Sequence, residues 1–246
     1  MKYQFQSNPG EFTYKPTLFT NAIKILISIN FGIFVLQSIS SSEMIFFSIF
    51  GLIPKMVWSE LKIWQPITYM FFHGDIWHVL INMFALWMFG KTLEKIWGAK
   101  RFLIYYLITA IGAAILHLIV SQYQILYLSN NIPEILDLAK QGLYNVGNAD
   151  SLRLTQLVNT PTVGASGAVF GILLAFGMLF PNTLLYIYFA LPIKAKYFVI
   201  LYGILELYLG LSNNPADNVA HFAHLGGMIF GFFLIKYWQK NRNTFY

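Results

Sequence analysis

The stretch GASGAVFGILLAFGMLF, Gly164 to Phe180, decides how this chain is read. It is an uncharged apolar run opened by a serine between glycines. A lone hydroxyl costs little there, because it can bond back to the carbonyl one turn earlier, and Gly167 with Gly171 forms a small-residue stripe for helix packing. Ser166 is therefore either a tolerated small residue or a nucleophile, and the rest of the sequence has to decide between them.

The 246 residues are 57% hydrophobic and 18% aromatic, only 11% are charged, and the mean hydropathy is +0.58. That is too apolar for a soluble domain of this size and reads as an all-α, multi-span membrane protein. With no cysteine, disulfides, thiolate nucleophiles and thiolate-bound zinc are excluded. The net charge of +6 forms no basic cluster with interleaved aromatics, so nucleic acid is set aside as a partner. The N-terminal stretch has neither the short apolar core nor the cleavage site of a signal peptide, so the first span is expected to act as the insertion signal.

About 20 apolar residues are needed to cross a bilayer. Such stretches fall near 21–40, 72–91, 102–121, 165–180, 197–212 and 219–237, within one domain flanked by tails 1–20 and 238–246. Leu184–Leu191 is read as interfacial or as an early start to the fifth span. Six spans put both termini on one side. Twelve basic residues fall there (Lys2, Lys15, Lys24, Lys91, Lys95, Lys100, Arg101, Lys194, Lys196, Lys236, Lys240, Arg242), against four on the other side (Lys55, Lys62, Lys140, Arg153). The positive-inside rule then makes both termini cytoplasmic, and spans two, four and six run from outside to inside. Residues 42–71 read as an aromatic loop lying in the interface, and residues 122–163 as a polar outer segment with a short amphipathic helix.

The polar residues inside the spans are grouped. Span two carries His73, His78 and Asn82; span four opens with Gly164, Ser166 and Gly167; span six opens with His221 and His224. All three groups lie at the outward ends of outside-to-inside spans, at similar depth. His78 and Asn82, four apart, share a helix face, and His221 and His224, three apart, nearly do. A serine, a histidine and two further donors at one level are the parts of an acyl-transfer site. An unpaired N–H at the first helical turn, that of Ser166 included, adds an oxyanion donor. The missing part is an acid to orient the histidine, and Asp217 lies only in the loop before span six. Gly167-x-x-x-Gly171 and Gly227-x-x-x-Gly231 would let spans four and six meet and bring Ser166 to His224.

These residues resemble the rhomboid family of intramembrane serine proteases. Gly164-Ala165-Ser166-Gly167 matches its GxSG motif, His73, His78 and Asn82 its HxxxxHxxxN pattern, and Ala223-His224-Leu225-Gly226-Gly227 its AHxxG motif, over Trp64 to about Gly231. The resemblance implies a six-helix bundle and a Ser166–His224 dyad acting without an aspartate. It also implies an oxyanion hole from the Ser166 N–H, His78 and Asn82, and single-span membrane proteins as substrates, cut near the outer end of their helix from a site open to the non-cytoplasmic side of the cell membrane. No cofactor or metal is implied. Glu94 looks like the family's acidic residue at the inner end of span two, and His221 is the extra, structural histidine. Two departures stand out: Trp64-Gln65 replaces a Trp-Arg pair, and Phe170 stands where a tyrosine often packs on the base, keeping the ring but losing the phenol.

Two rivals remain. One is a catalytically silent relative that binds membrane clients, against which the intact Ser166 and His224 argue. The other is a metal or haem protein ligated by the histidines, which His78 disfavours because it pairs with Asn82. Asn30, His117 and Glu206 each stand alone on their spans and are read as satisfied by neighbours, Glu206 being the most expensive to bury.

Overall fold

The computed structural model describes residues 21–40, 43–131, 134–146, 148–187, 191–212 and 219–240. The tails before 21 and after 240, and Asp217, lie outside the described residues. Helices overlie all six apolar stretches: α1 (Asn21–Ile39), α5 (Ile76–Ala85) running through a π turn (Leu86–Gly90) into α6 (Lys91–Asn131), α9 (Ser166–Leu179), α10 (Ala195–Leu211) and α11 (His221–Lys240). Between them lie α2 (Glu43–Phe50), α3 (Pro54–Ser59), α4 (Gln65–Thr68), a 3-10 turn (Tyr69–Phe71), α7 (Glu134–Lys140) and α8 (Ala149–Asn159).

Three boundaries differ from the sequence reading. The second and third stretches are joined by continuous hydrogen bonding and separated in direction only at Gly98, whose φ of 76° breaks the helix where glycine alone is unstrained. The third helix runs on to Asn131, ten residues past the expected 121, because its last turns bury Leu128 against α7 and α8. Residues 184–194 are an antiparallel hairpin, β1 (Leu184–Ile187) with β2 (Leu191–Lys194), where an early start to a helix was one of the two readings. Pro192 cannot supply the helical N–H, and Leu184, Tyr186 and Leu191 suit a strand pair that faces outward. Among the described residues the regular elements are thus helices apart from one small hairpin.

Many outward-facing side chains on the long helices are large and apolar. Ile25, Val35 and Leu36 on α1, and Ile200, Leu201 and Ile204 on α10, are all exposed, as in a protein whose outer solvent is lipid. By length and composition, two helical stretches can cross a bilayer, Asn21–Ile39 and Ile76–Asn131. At 14 residues, α9 is about 21 Å long and is shorter than the hydrocarbon layer.

The core is the triple packing of α6, α9 and α11, and small residues set how close they come. Gly171 lies against Thr109 and the Gly227 carbonyl, Gly226 against the Gly112–Ala113 backbone, Gly231 against Tyr105, and Gly227 directly on the Gly167 carbonyl. The expected meeting of the two glycine stripes therefore occurs, with α6 lodged beside it. Tyr105 donates to the Gly171 carbonyl at 2.7 Å and Tyr69 to that of Ala110 at 2.8 Å, locking the register.

Buried polar side chains fix the outer elements. The Glu94 carboxylate, 4% exposed, accepts the Ala22 and Ile23 N–H groups at 2.9 and 3.0 Å, capping α1 from a distant helix and matching the helix dipole. Gln65, fully buried, accepts the Ile53 N–H at 3.0 Å and donates to the Ser48 and Ile49 carbonyls at 3.2 and 3.3 Å, so it pins the interfacial segment. Trp64 adds a bond to the Ile49 carbonyl at 2.8 Å and Thr68 one to that of Phe50 at 2.7 Å. The amide at 65 thus anchors this loop with no guanidinium present. In residues 122–163, α7 and α8 pack through Ile135, Ala139, Leu154 and Val158 onto the end of α6, two helices where one was expected.

The Gly167–Gly227 contact makes a direct prediction. Gly227→Ala drives a methyl into the Gly167 carbonyl and should cost about 3 kcal/mol or more, read as a fall in thermal midpoint or in folded yield in detergent. Gly32→Ala, with nothing within 4 Å, should be tolerated. Equal behaviour of the two variants would contradict the packing.

Candidate active site

The turn before α9 is held by its own backbone. Gly164 has φ +124°, a conformation L side chains rarely adopt, and its N–H donates to the Tyr69 carbonyl at 3.0 Å. The next N–H, of Ala165, points to His73 Nε2 at 3.4 Å, and the His73 backbone is in turn held at both N–H and carbonyl by the Gln37 amide of α1. Ser166 follows as the first helical residue. Its N–H has no acceptor among the described residues, as the first turn of a helix dictates.

The glycine contact brings α11 alongside, and His224 Nε2 stands 2.8 Å from Ser166 Oγ. The His224 ring lies flat on Phe170, with centroids 4.1 Å apart and planes 6° apart, and Phe170 stacks in turn on Tyr202 of α10 at 5.0 Å. Three rings in a pile restrict the imidazole to one plane. Phe170 keeps the stacking expected of it. Tyr202, which the sequence reading did not single out, supplies a phenol one ring further away.

A buried acid, Glu206, stands beside both histidines of α11. Its Oε2 lies 2.8 Å from His224 Nδ1 and 2.7 Å from His221 Nδ1, and the side chain is almost fully buried. Reading it as an isolated acid satisfied by neighbours was correct about satisfaction and missed which neighbours. A signal was available: Gly203-x-x-Glu206-x-x-x-Gly210 places two glycines on the same helix face as the acid. Gly203 lies against Met228 and Gly210 against His221 and Phe222, so the face that carries Glu206 is the one that meets α11. His221 is thereby structural in a specific sense, as the second donor to that carboxylate.

The Glu206, His221 and His224 donor atoms lie within 4.8 Å of one another, which raises the question of a metal. The carboxylate oxygen sits 2.7 and 2.8 Å from the two ring nitrogens, a hydrogen-bond spacing. Ligands on a tetrahedral zinc with bonds of about 2.0–2.1 Å stand about 3.3 Å apart. The His224 nitrogen facing the cleft is meanwhile committed to a hydroxyl. The cluster fits a hydrogen-bonded relay and does not fit an ion.

His78 and Asn82 line the same cleft as Ser166 and His224, of about 670 Å³, whose walls include Val169, Phe170, Leu173, Phe198 and Tyr202. Asp75 caps α5 by accepting the His78 N–H at 2.9 Å, which fixes where the His78 ring projects. His78 Nδ1 accepts the Gly74 N–H at 3.4 Å, leaving Nε2 as the protonated nitrogen, and a methyl built on Gly164 would lie 2.6 Å from it. Asn82 spends one amide hydrogen on the His78 carbonyl at 2.9 Å and keeps the other. Of the residues expected from the sequence, the cleft brings together His78, Asn82, Ser166, Phe170 and His224; Gly164 lies in the turn against His78, and Gly167, Gly227 and Gly231 lie in the helix contacts. His117 is elsewhere, with Nε2 3.1 Å from the Thr162 hydroxyl, and Asn30 bonds back to the Leu26 carbonyl at 2.8 Å.

Comparison with known proteins shows the family to which the chain is similar. The family model for the rhomboid domain matches residues 60–240. Rhomboid protein 1, mitochondrial, of Saccharomyces cerevisiae is 27% identical over 244 residues, 98% of this chain and 60% of that protein. RHOMBOID-like protein 12, mitochondrial, of Arabidopsis thaliana is 32% identical over 164 residues, covering 65% of this chain and 42% of that protein. Rhomboid protease GluP of Bacillus subtilis is 26% identical over 235 residues, 93% of this chain and 35% of that protein. The chain thus spans between about a third and three fifths of the length of these relatives.

Gly164→Ala tests the turn. The new methyl meets His78 Nε2 at 2.6 Å in a backbone conformation unsuited to it, and about 1–3 kcal/mol of stability should be lost. A thermal midpoint in detergent equal to that of the wild type would contradict the placement of His78 against the turn.

Proposed function

The chain belongs to the rhomboid family, and from that premise we propose that it is an intramembrane serine endopeptidase whose nucleophile is Ser166 and whose general base is His224. What carries the reading is the 2.8 Å contact between Ser166 Oγ and His224 Nε2 at the wall of a cleft that also exposes oxyanion donors. The neutral imidazole takes the hydroxyl proton as Oγ attacks a peptide carbonyl carbon. The Ser166 N–H, His78 Nε2–H and the free amide hydrogen of Asn82 receive the developing oxyanion. His224 then delivers its proton to the leaving amine, and water cleaves the acyl-enzyme by the same steps in reverse order.

The family is membrane-embedded, and we read the substrates as single-span membrane proteins entering from the bilayer. A scissile carbonyl inside a helix is engaged in its own hydrogen-bond ladder, so the substrate has to unwind locally, which favours Gly or other weak helix formers near the cut. The short α9 suits a site recessed below the membrane surface yet open to water. The proposal includes six spans on the helices that overlie the six apolar stretches, tails 1–20 and 238–246 on the cytoplasmic side, and a cleft facing the opposite side of the cell membrane. The asymmetry of Lys and Arg supports that orientation. Recovery of the chain in mitochondria on fractionation, where two of the named relatives belong, would overturn the cell-membrane assignment.

A fluorophosphonate probe should label the wild type and not Ser166→Ala. Incubated with a panel of single-span substrates, the wild type should cut near the outer helix end, as located by mass spectrometry, and Ser166→Ala or His224→Ala should lower turnover by about 10³-fold or more. No labelling and no cutting by the wild type would leave the client-binding alternative in its place.

A further inference from the structure

We propose that Glu206 is a positioning residue for the base, so that the working unit is a Ser166–His224–Glu206 relay held by His221, an inference that rests on the protease reading above. An ionised carboxylate only accepts hydrogen bonds. With Oε2 at 2.8 Å from His224 Nδ1, that nitrogen carries its proton, which leaves Nε2 bare and directed at the Ser166 hydroxyl 2.8 Å away. The tautomer required for attack is therefore the one the acid selects. When the Ser166 proton moves to Nε2 and the Oγ–C bond forms, the ring becomes an imidazolium with both nitrogens protonated. Glu206 keeps its negative charge beside it, and the Nε2 proton leaves with the amine. No proton is transferred to the carboxylate, and the ring returns to the tautomer it began in.

The surroundings favour this role over simple adhesion between helices. Apart from Glu206, the buried face of α10 consists of Ala195, Val199 and Gly210, and the rest of the helix is largely exposed apolar surface. An acid is the costliest residue that could occupy that face, and helix contact alone would be served by a neutral side chain. Its cost is offset by two ring N–H donors converging on one oxygen, His221 at 2.7 Å and His224 at 2.8 Å. The bond of His221 to Glu206 keeps the carboxylate in place while His224 works.

Glu206→Gln is nearly isosteric but can present an N–H to His224 Nδ1, which selects the opposite tautomer. In the purified full chain its kcat on a cleaved single-span substrate should fall about 10²–10⁴-fold with KM within about twofold, the rate of fluorophosphonate labelling should fall in parallel, and the thermal midpoint should stay near that of the wild type. Wild-type kcat in a folded Glu206→Gln protein would overturn the inference, as would a loss confined to KM. Should that variant fail to fold, ring ¹⁵N shifts of His224 in the unmodified protein decide the matter. Protonated Nδ1 with bare Nε2 is the expected state, and the reverse tautomer overturns it. A wild type that neither labels nor cuts would instead remove the protease reading, a result distinguishable from an active wild type matched by an active Glu206→Gln.

Discussion

The structure depends on two helix backbones touching at Gly167 and Gly227. No side chain separates them, so α9 and α11 approach closely, and the residues just beyond the contact, Ser166 and His224, come within one hydrogen bond of each other. A methyl at Gly227 would meet the Gly167 carbonyl, so the contact requires glycine there. α6 supports the contact from the other side with Thr109, Gly112 and Ala113, themselves small, while Tyr105 and Tyr69 fix its register through carbonyl bonds.

Around this core, several buried polar groups bond to partners far away in sequence. Glu94 caps α1, Gln37 clamps His73, Gln65 holds the interfacial loop, and Glu206 gathers two histidines. In apolar surroundings an unsatisfied amide or carboxylate is expensive, so each such side chain marks a joint between elements that apolar packing alone would let slide. The interfacial loop illustrates this. Its helices bury little of themselves, α2 having no buried residue, and its position comes from Trp64, Gln65 and Thr68 bonding to the carbonyls of Ser48, Ile49 and Phe50.

Most of the site could be read from spacing because helices convert spacing into faces. His78 with Asn82, and Gly227 with Gly231, are four apart, and the apolar runs around them leave a helix as the only structure with satisfied backbone groups. Glu206 was not readable in the same way. It sits alone on its span with no motif around it, and its partners lie 15 and 18 residues further along on another helix. Only the glycines at 203 and 210 hinted which way it faced. The hairpin at 184–194 escaped for a different reason, since a short apolar aromatic run is compatible with strand, helix or interfacial coil until neighbours choose. Gln65, standing where the Trp-Arg pair has its arginine, anchors the loop because an amide has both donor and acceptor for the three backbone groups it meets.

By itself, then, the sequence determined the solvent, the helical elements and the chemistry on offer. Length and hydropathy select lipid, lipid demands satisfied backbones, and the grouped Ser, His and Asn supply the parts that an acyl-transfer site would use. Tertiary structure decided the distances: which histidine meets the serine, which acid meets the histidine, and where the chain bends at Gly98 and Gly164. The physical reason is that periodicity sets the direction of a side chain about its own axis, whereas the approach of one axis to another is set by atoms from both, and no local pattern contains them both.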